Sequence, residues 1–250
     1  MWTPESLIII GLTFFIAGSV KGVIGLGLPT VALALLTATY GLKPAMALLL
    51  IPSLVTNVWQ GVVGGAFLVL MRRLWSMLLL ICVATWFGVH VLAMADTALL
   101  SALLGGLLCI YAGLSLARVT VPGPGRSEPW ISPLIGVVNG VLTGMTGSFV
   151  VPSVIYLQAL ALPRDAFVQA MGIVFSVSTL ALAVSLGGQR FLSMELGTVS
   201  ALAIVPAIIG MVFGQKIRRR LSEAVFRRVF FYAVLILGAY IIGRSLLMPV

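Results

Sequence analysis

The sequence predicts an all-α protein that crosses a membrane many times, and three observations predict it. Of its 250 residues, 61% are apolar and only 8% are charged, whereas a soluble domain carries about a quarter charged residues. The mean hydropathy is +1.20. The apolar residues form long stretches divided by short breaks, and one helical span needs about 20 apolar residues. Soluble, disulfide-rich, coiled-coil and disordered classes are thereby excluded.

The first half of the chain contains four apolar stretches, at residues 6–40, 44–70, 74–95 and 97–117. Lys43-Pro44, Arg72-Arg73 and Asp96 separate them. Residues 6–40 are too many for one span and too few for two, and glycines interrupt their middle. Because a break in a membrane helix survives only where protein or water covers it, we predict a helical hairpin here. Its Gly-rich tip is expected near mid-membrane.

The second half follows the same plan after a Pro/Gly-rich linker at residues 119–130. Its apolar stretches lie at residues 131–162, 166–187, 195–215 and 224–247. The first of these is again long and broken by glycines, so residues 131–162 are predicted to form a second hairpin. Short, Gly/Pro-interrupted segments at matching places in two halves are typical of a transporter's binding site.

A shared glycine spacing indicates that the two halves are repeats. Gly18, Gly22 and Gly25 recur as Gly140, Gly144 and Gly147 at an offset of 122 residues. The same offset relates Gly65 to Gly187 and Gly88 to Gly210, and Pro29 to Pro152 within one residue. We predict a first transmembrane repeat at residues 1–118, the linker at 119–130 and a second repeat at 131–250. Chance matching is the alternative, since 27 residues are glycine.

The positive charges favour an inverted arrangement of these repeats. If each long stretch is a hairpin, eleven basic residues fall on one side and three on the other, with Lys21 left out as a tip residue. If each is a single span, the bias disappears. Cytoplasmic loops carry the excess of Lys and Arg. The sequence therefore predicts five segments per repeat, with both termini outside. The same rule accounts for the net charge of +9 without nucleic acid.

Lys21 is the most informative single residue, because it is ionisable and lies inside an apolar stretch. Placing such a charge in a membrane helix costs at least ~2.5 kcal/mol, which makes a functional role the first hypothesis. The alternative is that its long side chain reaches an interface. Thr143 occupies the matching position of the second repeat.

The hairpin tips carry the remaining candidate site residues. A Gly-rich break before a new helix exposes backbone N–H groups and a positive helix N-terminus, which attract anions. Packing of helices through small residues is the alternative for the glycines, and bonding between helices is an equal alternative for the two asparagines. The predicted substrate-binding residues are Lys21, Gly22, Gly25, Gly27, Pro29, Thr30, Asn57, Asn139, Thr143, Gly144, Thr146, Gly147, Ser148 and Pro152.

The sequence contains no set of residues suited to catalysis or metal binding. Each of the six acids lies at a segment end or in a loop, so paired carboxylates, metal-ligand sets and catalytic triads cannot be assembled. Cys82 and Cys109 make neither a disulfide framework nor a metal site. His90 is interpreted as a packing residue, with a proton relay as the alternative. The sequence predicts no enzyme activity, no cofactor and no bound metal.

Two segments resemble a known family. Residues Phe15 to Thr30 resemble the first-repeat signature of the TauE/SafE sulfite exporter family, and Gly140 to Pro152 resemble its second-repeat counterpart. The resemblance implies a bacterial inner-membrane transporter of sulfur-containing anions, such as sulfite, sulfonates or related organic anions.

The leading hypothesis is a multi-pass secondary transporter of a small anion in the cell inner membrane. The anion would bind at mid-membrane between the hairpin tips, on half-helices beginning near Leu28 and Gly147, and cross by alternating access. The predicted partners are this anion and the lipid bilayer, without nucleic acid; a homo-oligomer is allowed. The alternative is a membrane scaffold or assembly factor that transports nothing.

Overall fold

A computed structural model describes residues 2–218 and 222–247, and within them it contains only helices, turns and loops. These residues form eleven α-helices: α1 (Pro4–Ile24), α2 (Leu28–Tyr40), α3 (Leu42–Val62), α4 (Phe67–Met94), α5 (Thr97–Leu116), α6 (Glu128–Thr146), α7 (Ser153–Ala159), α8 (Arg164–Gly188), α9 (Met194–Leu202), α10 (Ile204–Arg218) and α11 (Glu223–Leu247).

Seven apolar segments in this part of the chain are long enough to cross a membrane, with α9 and α10 together making one of them. The others are α1, α3, α4, α5, α8 and most of α11. Large apolar side chains such as Trp59, Leu68 and Ile236 are more than two-thirds exposed, as lipid-facing side chains are. The predicted all-α polytopic membrane fold is confirmed.

The predicted break at Arg72-Arg73 lies elsewhere in the structure. Arg72 and Arg73 are within α4, and the chain instead turns before that helix at Gly64 and Gly65, whose φ angles are 138° and 80°. Glycine adopts such angles without steric cost, so the turn needs no charged residue. Asp96 is a break as predicted, and its carboxylate accepts a hydrogen bond from the Ala98 N–H at the start of α5.

The first predicted hairpin is present. α1 packs against α2, and the Tyr40 hydroxyl at the end of α2 donates to the Ser6 carbonyl near the start of α1, at 3.2 Å. Gly25 and Gly27 turn the chain with φ angles of 85° and 106°. α2 begins at Leu28, as the sequence predicts.

The second hairpin differs from its prediction in its returning arm. α6 ends at Gly147, which has a φ of 73°, but the next helix begins at Ser153 and has only seven residues. A half-helix beginning near Gly147 is therefore wrong. Pro152 cannot donate a backbone hydrogen bond, and a residue preceding proline disfavours the helical conformation, so the helix starts only after it.

The chain divides into two compact units that interleave the two sequence halves. The first unit contains α1, α2, the part of α3 up to Pro52, α5 and α9 to α11. The second contains the rest of α3 from Ser53, α4, the linker and α6 to α8. These units do not test whether the two halves of the sequence are repeats, so the repeats at 1–118 and 131–250 stay a prediction.

Glycines bring helices together within the first unit. A Cβ atom on Gly18 would lie 2.1 Å from the Ala207 carbonyl oxygen, and one on Gly22 would lie 2.2 Å from that of Met211. α1 and α10 therefore run parallel. α5 and α11 run antiparallel, because Gly105 contacts Gly238 while Cys109, further along α5, contacts the earlier Leu235.

The second unit repeats this kind of packing with α6 on α4. Gly136, Gly140 and Gly144 face the backbone of α4, and Cβ atoms on them would lie within 2.7 Å of the carbonyl oxygens of Met77, Ile81 and Thr85. These helices also run parallel. Their starts are joined by Arg73, whose guanidinium donates to both carboxylate oxygens of Glu128 at 2.6 and 2.8 Å.

Basic residues gather at one end of each unit. In the second unit, Gln169 near the start of α8 accepts from the Ala66 N–H before α4, so α4, α6 and α8 all begin at one end. That end holds Arg72, Arg73, Arg126 and Arg164, while Arg190 lies beyond the end of α8. In the first unit, Arg118 follows α5, Lys216 and Arg218 lie in the last turn of α10, and Arg227 and Arg228 lie near the start of α11.

One correspondence between the halves shifts by a helical turn. The Cβ position of Gly214 meets the Ser19 carbonyl, and that of Gly88 meets the carbonyl of Val141, which is Ser19 plus 122 residues. Packing therefore equates Gly88 with Gly214, rather than with Gly210 as the sequence offset suggests. A shift of one turn keeps the same helix face, so this contact is compatible with the predicted repeats.

Candidate functional site

Lys21 lies in the last turn of α1, and its side chain is only 5% exposed. Protein atoms cover it, so the alternative in which the side chain reaches an outer surface does not fit its position. A cation is favoured at a helix C-terminus, where the carbonyl groups carry partial negative charge. The Lys21 carbonyl itself accepts from the Gly25 N–H at 2.8 Å.

The turn after Lys21 shapes the first hairpin tip. Gly25 closes α1 in the left-handed conformation, and Gly27 precedes α2 with a φ of 106°. Pro29 occupies the first turn of α2, where a missing N–H costs nothing. Thr30 follows it, and its buried hydroxyl has no hydrogen-bond partner among the described residues. A cation and an unsatisfied hydroxyl thus lie on the two arms of one hairpin.

Two of the candidate glycines have a packing role. The side of Gly22 that a side chain would occupy is filled by α10, and that of Gly144 is filled by Thr85 and Gly88 of α4. Gly25 has open space there instead. The helix-packing alternative thus accounts for Gly22 and Gly144, whereas the turn conformation accounts for Gly25, Gly27 and Gly147.

The hydroxyl groups of the second hairpin bond mostly to their own turn. Thr143 donates to the Ser148 carbonyl at 3.3 Å, and Thr146 donates to the Leu142 carbonyl at 2.7 Å. Thr146 also accepts from the Ser148 N–H. The Gly147 N–H donates to the Thr143 backbone carbonyl, just as the Gly25 N–H donates to the Lys21 backbone carbonyl. These residues hold the end of α6 in shape.

Asn139 is the polar residue of α6 that stands out. Its side chain is fully buried, and neither its amide nitrogen nor its amide oxygen has a partner among the described residues. Buried polar atoms are nearly always hydrogen-bonded, so an exception calls for an explanation such as a ligand or an ordered water. Ser178 of α8 is buried and unsatisfied in the same way.

Other buried polar residues join helices within the second unit. Asn57 donates to the Ser53 hydroxyl at 3.0 Å, which favours the helix-bonding interpretation for this residue. Gln169 donates to the Gly61 carbonyl at 2.9 Å, and Gln60 donates back to the Val168 carbonyl at 2.8 Å. This pair clamps α3 to α8.

Sequence reasoning misplaced His90, and it assigned Ser176 and Ser178 to the bundle interior without placing either among the predicted site residues. His90 is exposed on α4, so the interpretation as a packing residue is wrong: its position on the helix turns it outward, which a lone residue type does not reveal. Ser178 and its neighbour Ser176 look alike in sequence, but Ser176 donates to the Gly172 carbonyl at 2.7 Å. Only its place on the inner face distinguishes Ser178.

The sequence matches the family described as sulfite exporter TauE/SafE over residues 10–241. No curated protein and no solved structure gives a match. The match covers nearly the whole chain, including both hairpins and all seven apolar spans in full or in large part. The chain therefore belongs to the TauE/SafE family of sulfite exporters, which are membrane transporters rather than enzymes.

Proposed function

We propose that this chain is a secondary transporter that carries sulfite or a related organosulfonate across the inner membrane by alternating access. The observation that carries the proposal is the buried Lys21 at the end of α1, beside the broken hairpin. A charge inside the membrane is costly, and an oxyanion is the ligand that would offset this cost by a charge-assisted hydrogen bond.

The proposed ligands divide by unit. In the first unit, Lys21 supplies the positive charge and Thr30 a hydroxyl, next to the start of α2 and the turn at Gly25, Gly27 and Pro29. In the second unit, Asn139 supplies an amide, while the turn from Thr143 to Pro152 shapes its surroundings. A sulfonate group accepts hydrogen bonds through its oxygens, which suits these donors.

The acids suggest that transport needs no proton. The described acidic residues lie at helix ends or in loops, and the pKa of the Glu128 carboxyl, at the start of α6, is held below its usual range by the Arg73 guanidinium. Proton-coupled transporters commonly use buried acids or histidines. A monovalent anion leaving a negative-inside cell gains about 2.3 kcal/mol per 100 mV, so the potential alone would drive outward flux.

The test is a flux assay in proteoliposomes loaded with sulfite or ethanesulfonate. We expect efflux to follow a potassium–valinomycin potential without a pH gradient, and to persist in His90→Ala because this residue lies outside the interior. Protein-free liposomes and Lys21→Ala serve as controls. Efflux no faster than from protein-free liposomes would favour the scaffold hypothesis. Efflux that ignores the potential, or that requires a proton or sodium gradient, would contradict the electrogenic mechanism.

A further inference from the structure

The first unit contains a second polar region, far from Lys21. A cavity of about 470 Å³ lies where the end of α2, the start of α3, the start of α5 and the end of α11 meet. Tyr40 lines it and donates to Ser6 of α1. Lys21 is 15 residues beyond Ser6 on α1, which is about 22 Å at ~1.5 Å per residue. The cavity is therefore separate from the proposed transport site.

Two cations line this cavity. Arg244 donates through Nη1 to the Ala38 carbonyl, a contact that fixes the guanidinium in the wall and leaves its other N–H groups to bind elsewhere. Lys43 Nζ lies 5.0 Å from the ring centroid of Phe191. Among the described lining residues there is no Asp or Glu. Asp96 precedes α5, but its carboxylate is bonded to the Ala98 N–H.

Thr37 gives an independent indication of a ligand. It lines the cavity, it is only 5% exposed, and its hydroxyl has no hydrogen-bond partner among the described residues. Ser101 of α5 also lines the cavity, but its hydroxyl donates to the Thr97 carbonyl at 2.8 Å. A buried hydroxyl without a partner beside two cations is a donor set that suits the oxygens of an anion.

We propose that this cavity binds an oxyanion, namely sulfite, a sulfonate group or a phosphate group. Its volume falls within the range of about 300–1,000 Å³ that small-molecule sites occupy. The proposal goes beyond the transport function, since binding here requires neither Lys21 nor flux. The occupant is either a free anion or the phosphate group of an anionic lipid. Two experiments distinguish these occupants.

The first arm measures free anions in a Lys21→Ala background, which removes the proposed transport site. The full chain is purified in detergent, depleted of lipid and equilibrated with radiolabelled sulfite. We expect sulfite binding to remain in Lys21→Ala and to weaken by about tenfold or more when Lys43→Gln or Arg244→Gln removes a charged donor. Lys216→Gln, which changes an exposed cation at the end of α10, is the matched control. Lys43→Gln leaves the bond between Arg244 and Ala38 in place, so a folding defect of Arg244→Gln would not obscure the result.

The second arm measures lipid retention on the otherwise unchanged chain, using native mass spectrometry after purification from phosphatidylglycerol or phosphatidylcholine vesicles. Loss of retained phosphatidylglycerol, but not phosphatidylcholine, in Lys43→Gln would identify the lipid phosphate as the occupant. Weakened sulfite binding without this loss would identify a free anion. If Lys43→Gln and Arg244→Gln match Lys216→Gln in both arms, the cavity is not an oxyanion site. Failure of transport in the wild type would leave these binding results unaffected.

Discussion

At the scale of single residues, the buried polar groups divide by whether the protein itself satisfies them. Gln169 is bonded at both ends of its amide, to the Gly61 carbonyl and the Ala66 N–H. Asn139 is equally buried, yet neither atom of its amide has a partner in the described structure. The first residue has a structural task, whereas the second has hydrogen-bonding capacity left for a ligand.

In a Lys43→Gln background, which weakens anion binding in the second cavity, replacing Lys21 by Ala should abolish or strongly weaken the remaining sulfite binding while leaving thermal stability nearly intact, because the buried charge is itself costly. Lys21→Arg should restore binding only in part, since a guanidinium is larger and forked. Equilibrium binding and thermal unfolding in detergent measure both effects. The control Lys216→Ala removes the same group from an exposed position. Unchanged affinity on adding Lys21→Ala to the Lys43→Gln background would remove this residue from the site.

The two buried amides form a matched pair for a second prediction. Gln169→Leu should lower the free energy of unfolding by about 2 kcal/mol or more, because two backbone partners lose their bonds. Asn139→Leu breaks no bond to a described residue, so it should cost less stability and instead weaken sulfite binding. Thermal unfolding and binding are measured on both variants. Equal destabilisation with unchanged binding in Asn139→Leu would show that its amide is satisfied within the protein.

At the scale of helices, glycines at close contacts fix which helices pair. Gly18 meets α10 at a distance that leaves no space for a side chain, while Gly11 on the same helix has nothing within 4 Å of its Cβ position. Small residues let membrane helices approach closely enough for dispersion forces to hold them. Substitution of Gly18 therefore tests helix packing, whereas substitution of Gly11 tests only the effect of glycine on helix formation.

Gly18→Ala should destabilise the protein by about 1–3 kcal/mol through overpacking, because the added methyl group would lie 2.1 Å from the Ala207 carbonyl oxygen. Gly11→Ala should be neutral or stabilising by up to about 1 kcal/mol, since alanine favours the helix. Thermal unfolding compares the two variants. A destabilisation of Gly11→Ala equal to that of Gly18→Ala would contradict the packing of α1 on α10.

Local sequence signals predicted some elements and missed others for identifiable reasons. The hairpin at residues 6–40 was predictable because Gly25 and Gly27 interrupt an overlong apolar stretch. The start of α7 was not, since Gly147 signals only where α6 ends, and Pro152 delays the next helix. Arg72 and Arg73 look like a loop by charge, but both fit within α4 near its first turns.

At the scale of the whole molecule, the distribution of basic residues predicts the topology. Within the second unit, Arg72, Arg73, Arg126 and Arg164 lie where α4, α6 and α8 begin. By the positive-inside rule, we expect reporter fusions at residues 125 and 221 to report the cytoplasm and a C-terminal fusion to report the periplasm. Residue 221 lies outside the described residues. Opposite sides for the fusions at 125 and 221 would contradict the inverted five-segment repeats.

The compact units themselves lay beyond sequence reasoning. A linker at residues 119–130 suggests a division into consecutive halves, yet α1 packs with α10 and α6 packs with α4. A glycine pattern shows that a helix has a close partner, and it does not say which helix supplies it. The choice depends on complementary surfaces far apart in the chain.

Pro52 shows what such distant pairing means while the chain is being made. Pro52 lies inside α3 and has no N–H to bond the Leu48 carbonyl; the Ser200 hydroxyl of α9 donates to that carbonyl instead, at 2.7 Å, and accepts from the Ile51 N–H. Ser200 follows Leu48 by 152 residues, so the ribosome must synthesise most of the protein before α3 acquires this partner. Until then water or the insertion machinery must solvate the bare carbonyl, because lipid cannot. The first unit is thus begun early and completed late in translation.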